Sequence, residues 1–438
     1  MLIPNLALIA LAGQYEVGFK ETPALFDRVK TQLRKLEWNI VAADAVIYDD
    51  ASQAHALQVL NGKDLDALCV CVGTWSEDHY LLDLLEDIDL PVILWAFPAV
   101  ETGSLCGAQQ ICCVLKELGR QYFFAYGHPE DPDVLREITP IVRAAALARR
   151  LRHTRIGTVG GRVKGMTEIA YDEFELKDKL GVRIVNLDEN ELTEAYSGTS
   201  CIAAAEYWQS LKTGTRRIAA TDESGVESVR YYLAMKRLVR EYQLEGLAIK
   251  CYPKWMGKVC LGYSLLAEEG IVCGCEGDVS NTVSMKILYE LTGQPIHNTD
   301  LLYPDTAADT ILFSHCGSGG FSLAASPEAI ELSPVRLADQ GVCVLFPARP
   351  GKVTLINLTG RKTTLRMSAL VGDAVACGME FPGNPLKVRF TRDIREINRQ
   401  IAAEGIGHHW MGGYGNVFPE IAYLCKIIGV RLIDLQEP

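Results

Sequence analysis

Two fully apolar runs near the start of the chain, residues 6–12 and 91–97, constrain its fold more than any other feature. A strand that shows one face to water alternates apolar and polar residues. A strand without polar positions has to be buried on both faces, as in a parallel sheet covered by helices. Strand-like stretches at 38–46, 65–72 and 122–126 accompany these runs. Segments of helical periodicity at 23–36, 79–87 and 105–118 separate them. The first 153 residues are therefore expected to form a doubly wound α/β domain.

The alternation restarts after a long Ala-, Arg- and Leu-rich helix at about 132–152. A strand at 155–159 leads into the glycine-bearing loop 160–165. Further strands are expected at 182–187 and 246–250, with a strong helix at 227–241. From about 310 the texture changes to short β-prone runs at 343–346, 351–358 and 363–367 joined by turn residues, with a helix at 417–428 closing the sequence. We expect two doubly wound α/β domains (1–153 and 154–310) followed by a smaller, mainly antiparallel β domain (311–438). Three domains also suit 438 residues at about 150 residues each.

Charge and cysteine usage exclude several classes. Lys and Arg number 43 against 55 Asp and Glu, a net −12, so coating nucleic-acid phosphates or anionic lipid is not the task of this chain. Fourteen cysteines are too dilute for a disulfide scaffold, and several sit inside apolar runs, as expected of a reducing cytoplasm. No C-x-x-C pair exists to hold a structural zinc ion. The apolar start lacks a preceding Lys or Arg and reads as a buried strand rather than a signal peptide. No run of about 18 apolar residues suggests a membrane span.

Common cofactor and nucleophile motifs are missing. Gly157 to Gly161 follows a strand but does not complete G-x-G-x-x-G, no phosphate-binding P-loop occurs, and Gly317-Ser318-Gly319 is not a nucleophile elbow. More informative is Cys275-Glu276-Gly277-Asp278-Val279, where an apolar strand ends in a carboxylate and a glycine. A helix is expected from near Thr282, with Ser280 or Asn281 as its cap. Ligands of parallel α/β sheets gather at the carboxyl ends of strands, which makes Glu276 a candidate reactive group. Helix capping is the alternative for Glu276 and Asp278.

Asp300 follows 24 residues later and His315 a further 15, each beside an apolar run, so the two carboxylates could face one another from adjacent strand ends. His408 and His409 stand in a glycine- and aromatic-rich loop with Trp410. Neighbours on an extended chain point to opposite sides, so only one of the pair should reach a given ion. Carboxylate oxygens with an imidazole suit a hard or borderline divalent cation such as Mn²⁺ or Mg²⁺.

Taken together, these segments resemble the L-fucose isomerase and L-arabinose isomerase superfamily. The resemblance rests on Cys275–Val279, Asp300, Ser314-His315-Cys316-Gly317, Gly351 to Leu355 and His409 to Gly415, with Gly73-Thr74-Trp75 in the first domain. It implies a fucose isomerase-like three-domain fold and aldose-ketose isomerisation, through an enediolate, of a pentose, deoxyhexose or related modified sugar. Glu276, Asp300 and His409 would hold Mn²⁺, or another divalent cation such as Mg²⁺ or Co²⁺, and Glu276 and Asp300 would carry protons. Trp75, His315, His408 and Trp410 would contact the sugar, His315 also matching a metal ligand of the arabinose branch. Homotrimers or homohexamers with active sites at subunit contacts are implied as well. A non-catalytic sugar-binding or regulatory protein on the same scaffold, and a metal-dependent aldolase or lyase, are the alternatives.

Overall fold

The computed structural model describes residues 2–437. They fold as two compact units, one made of Leu2–Arg149 with Pro419–Ile427, the other of Arg150–Phe418 with the segment from Ile428.

In the first unit β1 (Asn5–Leu11), β2 (Asn39–Ile47), β3 (Ala67–Val72), β4 (Val92–Ala96) and β5 (Tyr122–Tyr126) form one sheet in the order β2-β1-β3-β4-β5. All its pairs are parallel. The apolar runs are explained by alternation. Leu6, Leu8 and Ala10 feed a core with Phe26, Val29 and Ile138, whereas Ala7, Ile9 and Leu11 feed a second core with Leu81 and Ile111. The helix Phe418–Ile428 contributes to the first of these cores. Its Tyr423 meets Phe123 edge-on at 5.4 Å, and its buried Glu420 pairs with Arg143.

The second unit opens with β6 (Arg155–Val159), β7 (Arg183–Leu187), β8 (Arg217–Ile218), β9 (Gly246–Ile249) and β10 (Val272–Gly274). Four of these make a parallel sheet in the order β10-β9-β6-β7. The remaining strands are β11 (His297–Asp305), β12 (Thr310–Ser314), β13 (Glu331–Val335), β14 (Gln340–Leu345), β15 (Gly351–Thr359), β16 (Arg366–Val375), β17 (Leu386–Arg389), β18 (His409–Tyr414) and β19 (Arg431–Asp434). The order β15-β18-β11-β12-β17-β16 is antiparallel throughout, and β15 also pairs with β16. Six strands thus close into a barrel, which leaves no free edge among them. β19 adds to β16 in parallel, and β8, β13 and β14 form a separate three-stranded sheet. The antiparallel texture therefore begins at His297, earlier than the turn-rich composition after 310 indicated, and the sheet is mixed. No helix among the described residues is long and apolar enough to cross a membrane.

The helix Val279–Thr292 connects the parallel sheet to the barrel, packing against β9, β10, β15 and β18. Apart from Tyr289, Glu290 and Thr292, every residue of it is buried, including Lys286. The Lys286 ammonium pairs with Glu245 at 2.9 Å and Glu290 at 2.6 Å, and Arg150 reaches Glu245 at 2.9 Å. Burial works to raise the Glu245 carboxyl, but its bonds to Lys286 and Arg150 outweigh this and hold it below its ordinary value. The pair therefore stabilises the fold above the ordinary carboxyl range, and this contribution is lost as pH falls through the folded-state value. Lys286→Met removes the buried ammonium and leaves the partly buried Glu245 and Glu290 with Arg150 as their remaining cation, and is expected to cost about 1.5 to 3 kcal/mol in urea unfolding at neutral pH. The same measurement at a pH low enough to protonate Glu245 should show a smaller cost.

Candidate functional site

Strand β10 ends in a tight turn that aims Glu276. Glu276 lies in the left-handed region (φ 62°, ψ 12°) and Gly277 follows at φ 76°. A non-glycine residue there costs about 1 to 3 kcal/mol and needs its surroundings to hold it. The holding contacts are Asp278 N–H to Cys275 O at 3.0 Å and Val163 N–H to Glu276 O at 3.3 Å, the latter from the loop after β6. Gly277 cannot be replaced freely, because a Cβ would lie 2.0 Å from Gly161 O.

Asp278 begins the helix Val279–Thr292. Its Oδ1 accepts the Asn281 N–H at 3.0 Å, and its Oδ2 accepts the Asn281 side-chain N–H at 2.7 Å. The helix thus starts three residues before the expected position, and Asp278 rather than Ser280 or Asn281 is the cap, since a carboxylate here satisfies the third free N–H of the helix.

The barrel supplies the other side chains. Asp300 on β11 stands opposite His409 on β18 and Ser314 on β12, and His315 comes directly after Ser314. Residues directly opposite in a ladder share one face of the sheet, which brings Asp300 and His409 together. Glu276 and Asp300 therefore do not come from adjacent ends of one sheet, as the sequence suggested. They come from the parallel sheet and the barrel, because β11 pairs with β12 and β18 instead of with β10.

His409 links the two sources. Its Nδ1 bonds Asp278 Oδ2 at 2.8 Å, its Nε2 lies 2.9 Å from Glu276 Oε2 and 3.7 Å from Asp300 Oδ1, and its side chain is 1% exposed. His315 Nε2 is 3.9 Å from Asp300 Oδ2. Burial opposes charge on both imidazoles, but the facing carboxylates prevail. His409, bonded to Asp278 and Glu276, is raised well above the ordinary histidine value, and His315, beside Asp300, is raised to about 9. Burial likewise acts to raise Glu276, yet the His409 bond and the charges of His315, His409 and His408 hold its carboxyl low.

The donor set fits a divalent cation. Asp300 Oδ1 is buried and has no hydrogen-bond partner, an arrangement that is costly unless something positive meets it. Two atoms about 2.1 Å from one ion stand about 3 to 4 Å apart, which the 3.7 and 3.9 Å separations match. Donor atoms of Glu276, His315 and His409, and of Asp300, His408 and His409, lie within 4.8 Å of one another in each group. His408 as well as His409 falls in the second of these groups, although neighbours on an extended chain point to opposite sides. It precedes β18 at a bend, its ring is 4.1 Å from that of His409, and the alternation of an extended chain does not apply.

The remaining sequence candidates lie elsewhere. Trp410 is fully buried in the core of this unit, and its indole N–H has no partner. Trp75 belongs to the first unit, where its indole N–H donates to Gln110 Oε1 at 2.7 Å. Nothing local in the sequence singles out Glu168, whose Oε1 is 3.0 Å from His408 Nδ1, or pairs Asp278 with His409. Spacing along the chain carries no sign of a pairing across 240 residues.

Similarity to known proteins agrees with this arrangement. No protein-family model matches the chain. Sulfoquinovose isomerase of Priestia aryabhattai is 22% identical over 418 residues, spanning 91% of this chain and 93% of that protein. Sulfoquinovose isomerase of Clostridium sp. (strain MSTE9) is 25% identical over 372 residues, 81% and 83% of the two chains. L-arabinose isomerase of Nocardioides sp. (strain ATCC BAA-499 / JS614) is 22% identical over 358 residues, 75% and 69%. The chain is an aldose-ketose isomerase acting on a sugar. These similarities support the resemblance to the L-fucose and L-arabinose isomerase superfamily.

If the cluster holds a cation, Mn²⁺ should stabilise the folded chain by mass action, about 2.7 kcal/mol at a hundredfold excess over Kd. Thermal melting with and without Mn²⁺ is expected to show a clear upward shift for the native chain and little or none for Asp300→Asn and His409→Asn.

Proposed function

We propose that this isomerase depends on a divalent cation, Mn²⁺ first and Mg²⁺ or Co²⁺ as substitutes, held by Glu276, Asp300 and His409 with His315 beside them. The observation that carries this reading is the buried, unpartnered Asp300 Oδ1 facing His409 Nε2, the same nitrogen that lies 2.9 Å from Glu276 Oε2. A bound divalent cation supplies electrophilic polarisation of the sugar's carbonyl and neighbouring hydroxyl and offsets the negative charge that develops on them.

The chain's own groups account for the proton movement. Isomerisation removes the proton on C2 and returns one to C1. Glu276 and Asp300 flank His409 Nε2 at 2.9 and 3.7 Å, so one carboxylate can accept the C2 proton while the other manages the hydroxyl protons. The left-handed turn fixes Glu276, and the cross-strand position fixes Asp300, so neither has to reorganise during the transfer. His408 and Glu168, at the exposed rim, are suited to bonding sugar hydroxyls. As substrate we propose an aldose of the pentose, deoxyhexose or modified-sugar class. Sulfoquinovose, a glucose with a sulfonate in place of the 6-hydroxyl, is the first compound to test, because two of the relatives above carry its name.

The same reading includes assembly as a homotrimer or homohexamer with Trp75 of a neighbouring subunit against the sugar. Supporting it, Tyr15, Val17 and Val100 are exposed apolar residues of the first unit. An active monomer in light scattering would remove that element.

The test is a panel of aldoses incubated with the Mn²⁺-loaded protein in D₂O. Deuterium at the exchanging carbon and formation of the ketose are expected with at least one sugar. Glu276→Gln and Asp300→Asn should each lower the rate by about 10²- to 10⁴-fold. Ketose absent for every sugar, or carbon-carbon cleavage products in its place, would overturn the assignment, the second outcome in favour of a lyase.

A further inference from the structure

Asp278 is the one carboxylate of the cluster that faces away from the space between Glu276 and Asp300, and it is 98% buried. Asn281 donates twice, once from its backbone and once from its side chain, and His409 Nδ1 approaches Oδ2 at 2.8 Å. Asn281 is itself held, its Oδ1 accepting Leu358 N–H at 3.3 Å, and the His409 backbone is fixed by Asn357 Nδ2 donating to its carbonyl at 2.7 Å. An ionised carboxylate only accepts hydrogen bonds, so the shared proton sits on Nδ1 of His409. Nε2 is the nitrogen that faces Glu276 and Asp300, and by the same rule it donates a proton to Glu276 as long as no cation takes that proton's place.

We propose that Asp278 is a positioning residue. Its carboxylate keeps the proton on His409 Nδ1 and fixes the plane of the ring, so that Nε2 is presented to the cation. The consequence for cation binding rests on the function proposed above, whereas the ring orientation does not. As a helix cap alone, Asp278 would be replaceable by any residue that satisfies the Asn281 N–H. As a positioning residue it would not, because the cap and the histidine bond make different demands.

Two variants separate these roles. Asp278→Ser keeps a good cap but is too short to hold His409. The double variant Asp278→Asn with Asn281→Asp keeps the cap and the bond between the two side chains, yet turns an amide N–H₂ toward Nδ1 and so reverses the polarity of that contact. The full-length chain, labelled with ¹⁵N-histidine and freed of cations, is examined by NMR for a downfield, slowly exchanging Nδ1–H, told apart from Nε2–H by its couplings to the ring carbon-bound protons and assigned to His409 by its loss in His409→Asn. Mn²⁺ affinity is measured separately from the electron paramagnetic resonance of free Mn²⁺. Thermal melting of the cation-free proteins reports the fold.

Expected are the N–H resonance in the native chain, its loss in both variants, and Mn²⁺ binding weakened about 10- to 100-fold while each variant still melts cooperatively. Retention of the resonance, or native Mn²⁺ affinity in either folded variant, would reduce Asp278 to a cap and overturn the proposal. If the native chain binds no Mn²⁺, the cation reading fails, and the resonance alone decides the role of Asp278. If one variant does not fold, the other decides.

Discussion

The contact on which the second unit turns is the bond pair of His409. One ring nitrogen meets Asp278, at the head of a helix packed on the parallel sheet, and the other meets Glu276, at the end of that sheet. The ring itself hangs from a barrel strand. Three carboxylates, Glu276, Asp278 and Asp300, are thereby drawn around one imidazole in a largely water-free space. Carboxylates cannot be gathered in this way without compensation. The N-terminus of the helix Val279–Thr292 compensates Asp278 through its free N–H groups, and His409 compensates Asp278 and Glu276. Asp300 is the least compensated, with one oxygen unpartnered, and the imbalance points outward to whatever positive group joins the cluster.

A site shared between a parallel sheet and a barrel needs a rigid joint, and the buried helix Val279–Thr292 provides one. Its first residue follows the Glu276 turn directly, so the direction of the helix and the aim of Glu276 are fixed together. Lys286, eight residues into the same helix, ties it to Glu245, immediately before β9. Loss of that anchor would therefore be felt at the cluster as well as in the core. The glycines serve the same end at close range. Gly277 lets the turn approach the loop after β6, and that loop returns a hydrogen bond from Val163 to the Glu276 carbonyl.

Much of this was legible in the sequence because it depends on local pattern. Runs without polar positions can only be strands buried on both faces, and the two parallel sheets follow. A carboxylate and glycine after such a strand mark a turn at a sheet edge, which located Glu276. What could not be read depends on pairing between distant segments. Residues 297–305 look like one more strand of an alternating series, and nothing local reveals that their neighbours are β12 and β18. The partnership of Asp278 with His409 spans 131 residues and is invisible to spacing. The closeness of the His408 and His409 rings has a local reason, since the extended geometry begins only at His409.

Relatives at 22 to 25% identity that span most of the chain leave room for wide change in what surrounds a site. Chemistry and specificity respond differently to such change. The proton transfer proposed above would use two carboxylates and an imidazole in fixed relation, and each of these side chains is held here by backbone geometry or by a buried bond. Recognition of one sugar over another asks for contacts at the rim, where His408 and Glu168 are about 40% exposed and held by little beyond each other. A buried cluster resists substitution because every change leaves an uncompensated charge, whereas a rim pair can be exchanged at small cost to the fold. Under the proposed function the reaction class would therefore rest on the interior of this unit, and the identity of the sugar on its most replaceable residues.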